Sequence, residues 1–371
     1  MKTMRLGDLC KIRHGKDWKQ LDTGDVPVYG SGGFMGRHVN KYSYNKPTVM
    51  LPRKGTITNV FYLDEPFWNV DTVFYTEIDT TKLLPKYLFY HMKTVDLGAL
   101  DSGSGRPSLT QSALNEISIV VPNLEDQKKI VAKLDKGLSQ IAKAEGLLRQ
   151  NIANVEDLQK SILAETFRFD DNTRAHRLGD LCLVFVDGDW IESKDQSPSG
   201  IRLIQTGNVG IGIFRNKSEK KRFVSNDTFN RLRCTEVFPD DLLVSRLPEP
   251  VGRACIMPDI KERMITAVDC TIIRTKPECV SAKYLLYFMT SDEYFCDIEK
   301  NCTGSTRKRI SRKNLGNIQV PVSERSVQEE IVIKLDREFA KIKKLQELYV
   351  GELAKVTDLR QSILAEAFMV T

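Results

Sequence analysis

The stretch 127–167 reads QKKIVAKLDKGLSQIAKAEGLLRQNIANVEDLQKSILAETF, and its apolar residues recur every seven positions. A seven-residue apolar repeat is typical of a long helix that packs along one narrow seam against another helix. The stretch therefore predicts a long central helix over 122–167. Its seam residues are Leu134, Ile141, Leu148, Val155 and Ile162.

The same helix occurs a second time near the end of the chain. Its first copy ends in SILAETF (161–167), and its second copy ends in SILAEAF (362–368). The second copy predicts a C-terminal long helix over 323–371. Its seam residues are Leu335, Ile342, Tyr349, Val356 and Ile363. A chain that repeats so long a segment consists of two similar modules in tandem.

Each helix is preceded by a strand-rich region that opens with RLGDLC, at 5–10 and again at 177–182. Runs rich in Val, Ile, Phe and Tyr, bounded by Gly, Pro and Asp, predict strands in both regions. A short helix follows at 85–94 and at 282–291, and then a basic turn at 103–110 and at 304–311. We therefore expect two similar domains, at 1–121 and 168–322.

The predicted fold is α+β, with two similar mixed α/β domains separated by the two long helices. Gly137, Gly146 and Gly351 each lower helix propensity by about 1 kcal/mol, so the seam needs a partner helix. The other copy can serve, and tandem modules related by a pseudo-two-fold axis would form an antiparallel coiled coil. Asn123 can cap the first helix, and Ser326 with Glu329 fits a capping box for the second.

The composition is that of an ordinary globular protein: 371 residues, 41% hydrophobic and 28% charged, with a net charge of +6. The sequence has no long apolar run and no signal-peptide pattern, so we expect a cytoplasmic protein. None of the eight cysteines forms a CxxC pair, which favours reduced, buried thiols over a zinc site. The excess positive charge lies in the two strand-rich regions and permits a nucleic-acid partner.

These motifs resemble those of the specificity (S) subunits, the HsdS family, of type I restriction-modification enzymes. The resemblance covers essentially the whole chain. It rests on the paired RLGDLC openings, the turns GSGRPSLT and GSTRKRIS, the repeated helix ending, VPVYGSGGFMG with LPRKGTITNV, and LIQTGNV with DDLLVSR. The sequence stops soon after SILAEAF, so we expect no C-terminal extension of the kind that helps close the ring in this family.

The resemblance implies a non-catalytic subunit with two target-recognition domains, each of which binds one half of a bipartite double-stranded DNA target. Because the two domains differ, the target is expected to be asymmetric. The helices would set the spacing and dock modification (M) subunits, two in number, while restriction (R) subunits would join through the complex. S-adenosylmethionine, ATP and Mg²⁺ are then expected in the partner subunits, with no cofactor or metal in this chain.

Candidate DNA-binding residues follow from side-chain type: Lys and Arg suit phosphates, Arg suits guanine, and Asn or Gln suits adenine. A solvated loop is the alternative for each one. Arg106 and Arg307 occupy the same place in both modules, which indicates phosphate contact or a shared structural role. The candidates are Gly32, Gly33, Arg37, Lys41, Tyr42, Arg53, Lys54 and Arg106 in the first module, and Gln205, Asn208, Arg215, Lys217, Lys220, Arg246, Arg253, Arg307, Lys308 and Arg309 in the second.

Three further interpretations remain open from the residues alone. Asp240, Asp259 and Lys261 have the spacing of a Mg²⁺-dependent nuclease, although the first module has no equivalent and two loop ends explain them equally well. The helices could form a coiled-coil spacer without a DNA role, or the chain could serve another restriction class. Phe67, Trp68, Phe74 and Tyr75 are expected in the core. Apolar residues off the seam predict a further helix contact that fits docking of M subunits, namely Ile130, Ala144, Leu158, Leu163, Phe167, Ile331, Leu345, Leu359, Leu364 and Phe368.

Overall fold

The structure is a computed structural model that describes residues 2–101, 105–168, 173–304 and 307–368. Gly103 and Ser104 of the first predicted basic turn, and Ser305 and Thr306 of the second, lie outside the described residues. Among the described residues, no helix is long and apolar enough to cross a membrane.

The described residues of the first module form nine strands and three α-helices. The strands are β1 (Lys2–Arg5), β2 (Cys10–His14), β3 (Val26–Gly30), β4 (Gly33–Val39), β5 (Thr48–Pro52), β6 (Phe61–Leu63), β7 (Trp68–Asn69), β8 (Val73–Ile78) and β9 (Ser118–Val121). The helices are α1 (Pro85–Met92), α2 (Gln111–Asn115) and the long α3 (Leu124–Thr166).

The second module repeats this order with additional elements. Its strands are β10 (Arg174–Arg177), β11 (Cys182–Asp187), β12 (Gln196–Ser197), β13 (Ile201–Ile204), β14 (Phe223–Val224), β15 (Glu236–Val237), β16 (Leu242–Ser245), β17 (Ala254–Ile256), β18 (Met264–Thr266), β19 (Cys270–Thr275) and β20 (Gln319–Val322). Its helices are α4 (Asn226–Leu232), α5 (Ala282–Phe288), α6 (Asp292–Lys300), α7 (Arg312–Gly316) and the long α8 (Arg325–Phe368).

The chain folds into two compact units, and each unit holds one end of each long helix. Unit 1 comprises 1–150 with 349–371, and unit 2 comprises 151–348. The strand-rich part of each unit is therefore accompanied by the start of its own helix and by a piece of the other helix. The boundary falls inside both long helices, whereas the predicted domain limits treat each helix as a separate segment.

The strands of unit 1 form a four-stranded sheet, a three-stranded sheet and one short pair. The four-stranded sheet has the order β2-β8-β5-β6, all antiparallel, and the three-stranded sheet has the order β4-β3-β7 with β3 and β7 parallel. The pair joins β1 to β9, so the residues just before RLGDLC lie beside the strand that leads into α3.

Unit 2 has the same design with a larger second sheet. Its four-stranded sheet has the order β11-β19-β16-β17, and β10 pairs with β20 as β1 does with β9. The second sheet has five strands, β12-β14-β13-β18-β15, with β13 and β18 parallel. Unit 2 thus has two more strands in this sheet, and it also has α4 and α6, which have no counterpart among the α-helices of unit 1. The predicted α+β class with two similar mixed domains is confirmed.

The long helices run antiparallel within unit 1. Lys133 Nζ lies 3.9 Å from Glu366 Oε1, and Arg360 Nη2 lies 2.7 Å from Glu145 Oε2. A methyl group built on Gly137 would lie 3.9 Å from Ile363 Cδ1, so this glycine admits the facing helix closely. Of the predicted seam residues in this unit, Leu134 and Ile141 are buried, and Leu148, Tyr349, Val356 and Ile363 are half-buried.

Unit 2 pairs the opposite ends of the same helices. Leu163 of α3 and Phe167, just after its end, share one apolar cluster with Leu335 of α8, and Ile162 and Phe339 pack against that cluster. Val155, Leu335 and Ile342 are buried there. The seam predicted from the seven-residue repeat is therefore the surface along which helix packs on helix in each unit.

Most off-seam apolar residues near the helix ends face their own unit rather than solvent. Phe167 packs edge-on against Tyr284 and Phe288, with ring centroids 5.2 and 5.7 Å apart. Phe368 packs in the same way against Tyr87, at 5.2 Å, and Ile130 contacts the core of unit 1. The prediction that such residues contact a further helix is therefore wrong for these three, and also for Leu163 and Ile331, which lie in or against the core of unit 2. Leu158, Leu345 and Leu359 remain exposed.

The helix starts agree with the sequence in one case and differ in the other. Asn123 Oδ1 accepts a hydrogen bond from Asp126 N–H at 2.9 Å, so the predicted cap of α3 is confirmed. The capping box predicted at Ser326 is wrong because α8 begins at Arg325 and Ser326 lies inside its first turn. Glu324 corresponds to Asn123 in the repeat, and its backbone carbonyl accepts from Gln328 N–H at 3.0 Å just as Asn123 O accepts from Gln127 N–H.

A fully buried glutamine near the start of each long helix attaches it to the adjacent domain. Gln127 Oε1 accepts from Leu84 N–H at 2.8 Å, and Gln127 Nε2 donates to the carbonyls of Lys82 and Pro122 at 2.8 and 2.9 Å.

Gln328 makes the same three bonds in unit 2. Its Oε1 accepts from Ser281 N–H at 3.0 Å, and its Nε2 donates to the carbonyls of Cys279 and Ser323, each at 2.9 Å. Both glutamines thus join a helix start to the segment that leads into the short helix of the domain.

An aspartate two turns further along each helix makes a second attachment. Asp135 accepts hydrogen bonds from Tyr90 Oη and from Lys86 Nζ, the latter at 2.9 Å. Asp336 accepts from Tyr287 Oη at 2.5 Å and from Lys283 Nζ at 2.6 Å. Burial, together with the Asp135 carboxylate, raises the pKa of Tyr90.

Candidate nucleic-acid interface

The three basic clusters predicted in the first module meet at one place in unit 1. Gly55 N–H donates to Pro107 O at 2.9 Å, and Leu109 N–H donates to Arg53 O at 2.8 Å, so segment 53–55 lies beside segment 107–109. A methyl group on Gly55 would lie 3.1 Å from Arg106 Nη2 and 3.5 Å from Ser31 Oγ. The basic turn, the Arg53–Gly55 segment and the loop after β3 are therefore neighbours.

The loop after β3 is the turn of a β-hairpin. Strands β3 and β4 pair through Gly30 and Gly33, with Ser31 and Gly32 at the turn. Gly33 has φ +106°, a conformation that L side chains rarely adopt, and Gly32 has open space around it. Arg37 is exposed on β4, and Lys41 and Tyr42 are exposed just beyond it.

The basic residues of unit 1 differ in how far their charge is already neutralised. The carboxylate of Asp71 lies 3.7 Å from Arg53 Nη1 and from Lys54 Nζ, and Asp71 O accepts from Arg53 Nη1 at 2.8 Å. Within the described ranges, no carboxylate lies at ion-pair distance from Arg37, Lys41 or Arg106. These three side chains are the better placed to bind a phosphate.

In unit 2, the predicted pair Gln205 and Asn208 forms one turn at the end of β13. Asn208 is only 8% exposed. Its Oδ1 accepts from Gln205 N–H at 3.0 Å, and its Nδ2 donates to Arg215 O at 2.9 Å. In this arrangement, Asn208 shapes the loop internally, and Gln205, which is half-buried, is the member of the pair nearer to solvent.

Arg253, another predicted DNA contact, points into the protein. Its guanidinium donates to four backbone carbonyls: Val209 O at 2.7 Å, Leu247 O at 2.8 Å, Thr206 O at 2.9 Å and Pro250 O at 3.0 Å. Burial lowers the pKa of this side chain. Arg253 therefore holds the loops 206–209 and 247–250 together, a positioning role for whatever those loops contact.

Arg246 and Arg53 occupy equivalent places and make equivalent bonds. Leu109 N–H donates to Arg53 O, and Ile310 N–H donates to Arg246 O at 3.4 Å. Arg246 is 3% exposed, lies 3.3 Å from Asp187 Oδ1 and donates to Val268 O at 2.6 Å. Burial lowers the pKa of Arg246. The position thus has a structural role in both modules, with more of the side chain exposed in Arg53.

The remaining predicted residues of unit 2 lie on exposed loops. Arg215, Lys217 and Lys220 follow the loop after β13, and all three are exposed. Arg309 N–H and Thr303 N–H donate to each other's carbonyls at 2.9 and 2.8 Å, and Arg307 and Lys308 precede Arg309 in this turn.

Lys308 in this turn forms an ion pair with Glu299, whereas among the described residues Arg307 and Arg309 have no such partner. The exposed arginines of the turn are therefore the members that remain available to an anion.

Sequence reasoning missed three basic residues beside this turn. Arg177, Arg312 and Lys313 are exposed and line an open depression of about 710 Å³ together with Asp180 and Asp187. The signal was present, because Arg312 and Lys313 complete the run RKRISRK at 307–313. Arg177 is brought to them by the pairing of β10 with β20.

The residues of the nuclease hypothesis are turn residues in the structure. Asp259 and Lys261 form an ion pair with each other in the loop between β17 and β18, and Asp240 precedes β16. The described residues contain no group of three His, Cys, Asp or Glu side chains that could hold a metal ion. No donor set for Mg²⁺ supports that hypothesis.

The aromatic residues expected in the core are there. Phe67 is 0% and Phe74 1% exposed, and Trp68 and Tyr75 are half-buried. All eight cysteines are free thiols, and burial raises the pKa of Cys10 and of Cys182 to about 12. The expected burial of the thiols holds for five of the eight cysteines, whereas Cys296 is exposed and Cys279 and Cys302 are half-buried.

The comparisons with known proteins agree with this architecture. A family model described as the type I restriction modification DNA specificity domain matches residues 1–150 and 172–349. The EcoBI specificity subunit of a type I restriction enzyme from Escherichia coli is 25% identical over 312 residues, which cover 76% of this chain and 65% of that subunit. The matched region thus spans slightly less than two thirds of that relative.

Two solved structures share the fold across nearly the whole chain. A chain from a study of complex assembly and conformational transition of the type I R-M system has a TM-score of 0.79 at 19% identity, covering 99% of this chain and 97% of that one. The HsdS subunit from Thermoanaerobacter tengcongensis has a TM-score of 0.60 at 17% identity, covering 99% and 96%. With the family model matched once in each module, the chain belongs to the type I restriction modification DNA specificity domain family.

Proposed function

We propose that this chain is the DNA sequence-specificity subunit of a type I restriction-modification complex, and that each unit binds one part of a bipartite target. The observation that carries the proposal is that the family model matches both modules and that each unit displays exposed basic residues on the loops of its strand-rich domain. Lys and Arg bind the phosphate backbone irrespective of sequence.

Within each unit, the residues divide by the freedom of their side chains. Arg37, Lys41 and Arg106 in unit 1 are exposed and serve as phosphate or base contacts. Arg246 and Arg253 in unit 2 are bonded to backbone carbonyls and hold the loops in place. Base readout falls to the exposed side chains that those loops carry.

The target is asymmetric because the two units present different surfaces. The second sheet has three strands in unit 1 and five in unit 2, and the loop after its central strand carries different residues. Base readout depends on which side chains reach the base edges and on the shape of the DNA that the surface accepts, so unlike surfaces favour unlike sequences. The proposal therefore predicts two unlike half-sites.

The chain itself is non-catalytic in this proposal, and the chemistry belongs to its partners. Modification subunits, two per complex, supply adenine methylation with S-adenosylmethionine, and restriction subunits use ATP and Mg²⁺. Exposed apolar residues on the long helices support a docking role: Leu147 is 67%, Ile333 69% and Leu348 55% exposed. Exposed apolar side chains are typical of a protein contact where they form a contiguous patch.

The test is to express the chain with a candidate modification subunit in a host that lacks the system and to sequence the modified bases. We expect methylated adenines at one asymmetric, interrupted sequence, and none when either subunit is expressed alone. A palindromic, uninterrupted target would contradict the assignment of one half-site to each unit. Methylation that does not depend on this chain would contradict its role as the specificity subunit.

A further inference from the structure

Two large apolar side chains are exposed on the β3–β4 hairpin of unit 1. Phe34 is 50% and Met35 46% exposed, and both lie at the start of β4, directly after the turn at Ser31 and Gly32. The ring of Phe34 is tilted against His38, with centroids 5.1 Å apart. The hairpin thus presents an ordered apolar surface to solvent instead of burying it.

Unit 2 presents an apolar pair at the corresponding place. Strand β13 corresponds to β3, because each pairs in parallel with the strand that precedes the last long strand of its domain. The loop after β13 carries Ile211, which is 47% exposed, and Ile213, which is 59% exposed. Although their sequences differ here, both modules therefore place large apolar side chains in solvent in the segment that follows the corresponding strand, on β4 in unit 1 and in a loop in unit 2.

Glycines fix the shape of both loops. Gly33 and Gly36 flank the pair in unit 1, with φ +106° and +68°, and Gly212 lies within the pair in unit 2, with φ +70°. In unit 2, Gly210 N–H donates to Ile213 O at 2.9 Å and Gly212 N–H donates to Ala254 O at 2.8 Å. The apolar tips are consequently held by backbone bonds, which lowers the entropy lost when they bind.

Exposed basic residues lie near both pairs. Phe34 and Met35 line an open depression of about 640 Å³, whose charged residues are Lys19, Asp17 and Asp71, and Arg106 lies beside its turn at Ser31. Arg37 follows on the same strand, and Arg215 and Lys217 follow the pair in unit 2. An apolar tip followed by exposed cations, such as Arg37 in unit 1 and Arg215 in unit 2, is complementary to an anionic partner that offers apolar groups between its charges.

Duplex DNA has this combination in its major groove. The groove admits a two-stranded β-ribbon, and the C5-methyl group of thymine is the apolar feature that it displays between the phosphate backbones. We propose that Phe34 and Met35 in unit 1, and Ile211 and Ile213 in unit 2, enter the major groove and read thymine through its methyl group. This inference rests on the proposed function and assigns a base class to its site.

The experiment uses the complex of this chain with its modification subunit, bound to the target defined by modified-base sequencing. Each thymine of the target is replaced in turn by deoxyuridine, which lacks only the methyl group. We expect at least one position in each half-site to weaken binding about fourfold, the equivalent of about 0.8 kcal/mol for one buried methyl group.

The variants assign the effect to the proposed residues. Phe34→Ala with Met35→Ala should abolish the deoxyuridine effect in one half-site and leave it in the other, and Ile211→Ala with Ile213→Ala should do the reverse. Each double variant is thus the control for the other. Leu183→Ala, which removes a side chain 60% exposed elsewhere in unit 2, should change neither half-site.

The possible results separate this inference from the proposed function. A wild-type complex that is indifferent to deoxyuridine, or double variants that keep the full effect, overturn the thymine contact while specific binding persists. Double variants that assemble poorly with the modification subunit, while the complexes that do form discriminate normally between thymine and deoxyuridine, overturn the inference in favour of a protein contact. A complex that binds no sequence preferentially refutes the proposed function itself.

Discussion

Replacing Gln127 with alanine tests whether buried polar attachments hold each recognition domain to its helix. The side chain of Gln127 is fully buried and bonded at both ends. Alanine leaves Leu84 N–H and the carbonyls of Lys82 and Pro122 without this partner, while it preserves or improves helix propensity. Any loss of stability must therefore come from the bonds and the space that the amide occupied.

The expected loss follows from these three bonds. Two of them reach half-buried backbone groups, and each is worth about 1 kcal/mol net. The third reaches a buried carbonyl, that of Pro122, and an unsatisfied buried acceptor costs about 2 kcal/mol. We expect Gln127→Ala to lower the free energy of unfolding of unit 1 by about 4 kcal/mol.

The assay must resolve the two units, because a chain with two compact units need not unfold in one step. Hydrogen exchange of backbone amides does so: the β1–β9 pair reports on unit 1 and the β10–β20 pair on unit 2. A loss of about 4 kcal/mol lowers the protection of the slowest unit 1 amides roughly a thousandfold. Gln140→Ala, an exposed glutamine on the same helix, is the matched control and should change stability by less than about 0.5 kcal/mol.

Two outcomes would refute the reasoning. Gln127→Ala could prove no more destabilising than Gln140→Ala, which would mean that the backbone groups find other partners at little cost. Alternatively, Gln328→Ala could fail to reproduce the effect in unit 2, although Gln328 makes the same three bonds there. Either result would show that the apolar seam alone determines how firmly each domain is attached.

Three further predictions follow from the same contacts. Tyr90→Phe removes the hydrogen bond to Asp135 and should lower the stability of unit 1 by about 1 kcal/mol in urea unfolding, whereas Tyr42→Phe, at an exposed site, should have no effect. Burial tends to raise the pKa of Asp135, but the hydrogen bonds from Tyr90 and Lys86 lower it overall. The stability that Asp135 contributes is therefore present above about pH 4 and is lost as the pH falls through its folded-state pKa. Unfolding should accordingly be easier at pH 3 than at pH 5, and Asp135→Asn should reduce the difference. Arg37→Ala should leave unfolding unchanged and reduce the slope of log K against log salt concentration for duplex binding by about 0.9. Arg253→Ala should destabilise unit 2 by about 3 kcal/mol. The reverse pattern would contradict the roles given to these arginines.

The repeat made the frame of the molecule predictable from the sequence. A seven-residue apolar period specifies a helix and the face on which it packs, and residues such as Leu134 and Leu335 are buried on that face. The strands were predictable for a similar reason, since apolar runs such as Thr48–Pro52 are bounded by breakers. The hydrogen bonds of Gln127 and Gln328 could not be inferred in this way, because the sequence shows only that both copies of the helix carry a glutamine at this position.

The candidate site was less predictable because side-chain type does not reveal direction. Positions 37 and 253 are both arginine, yet Arg37 is exposed and Arg253 is hydrogen-bonded to four backbone carbonyls. That difference depends on loops brought together from distant parts of the chain, which a local pattern cannot encode. Phe34 and Met35 escaped notice for the opposite reason, because large apolar residues beside a strand are normally expected in the core.

The distribution of these contacts separates attachment from recognition within each unit. The bonds that fix a domain to its helix come from Gln127 and Asp135, or from Gln328 and Asp336, and they reach the segment around the short helix. The exposed basic and apolar tips lie on the loops of the sheets, and they share no bond with those anchors among the described residues. A change of tip residues can therefore alter which bases are read without loosening the frame, whereas a change at an anchor affects stability before it affects specificity. A variant at Phe34 should accordingly change the discrimination between thymine and deoxyuridine but not amide protection. A variant at Gln127 should lower amide protection in unit 1 but not change that discrimination.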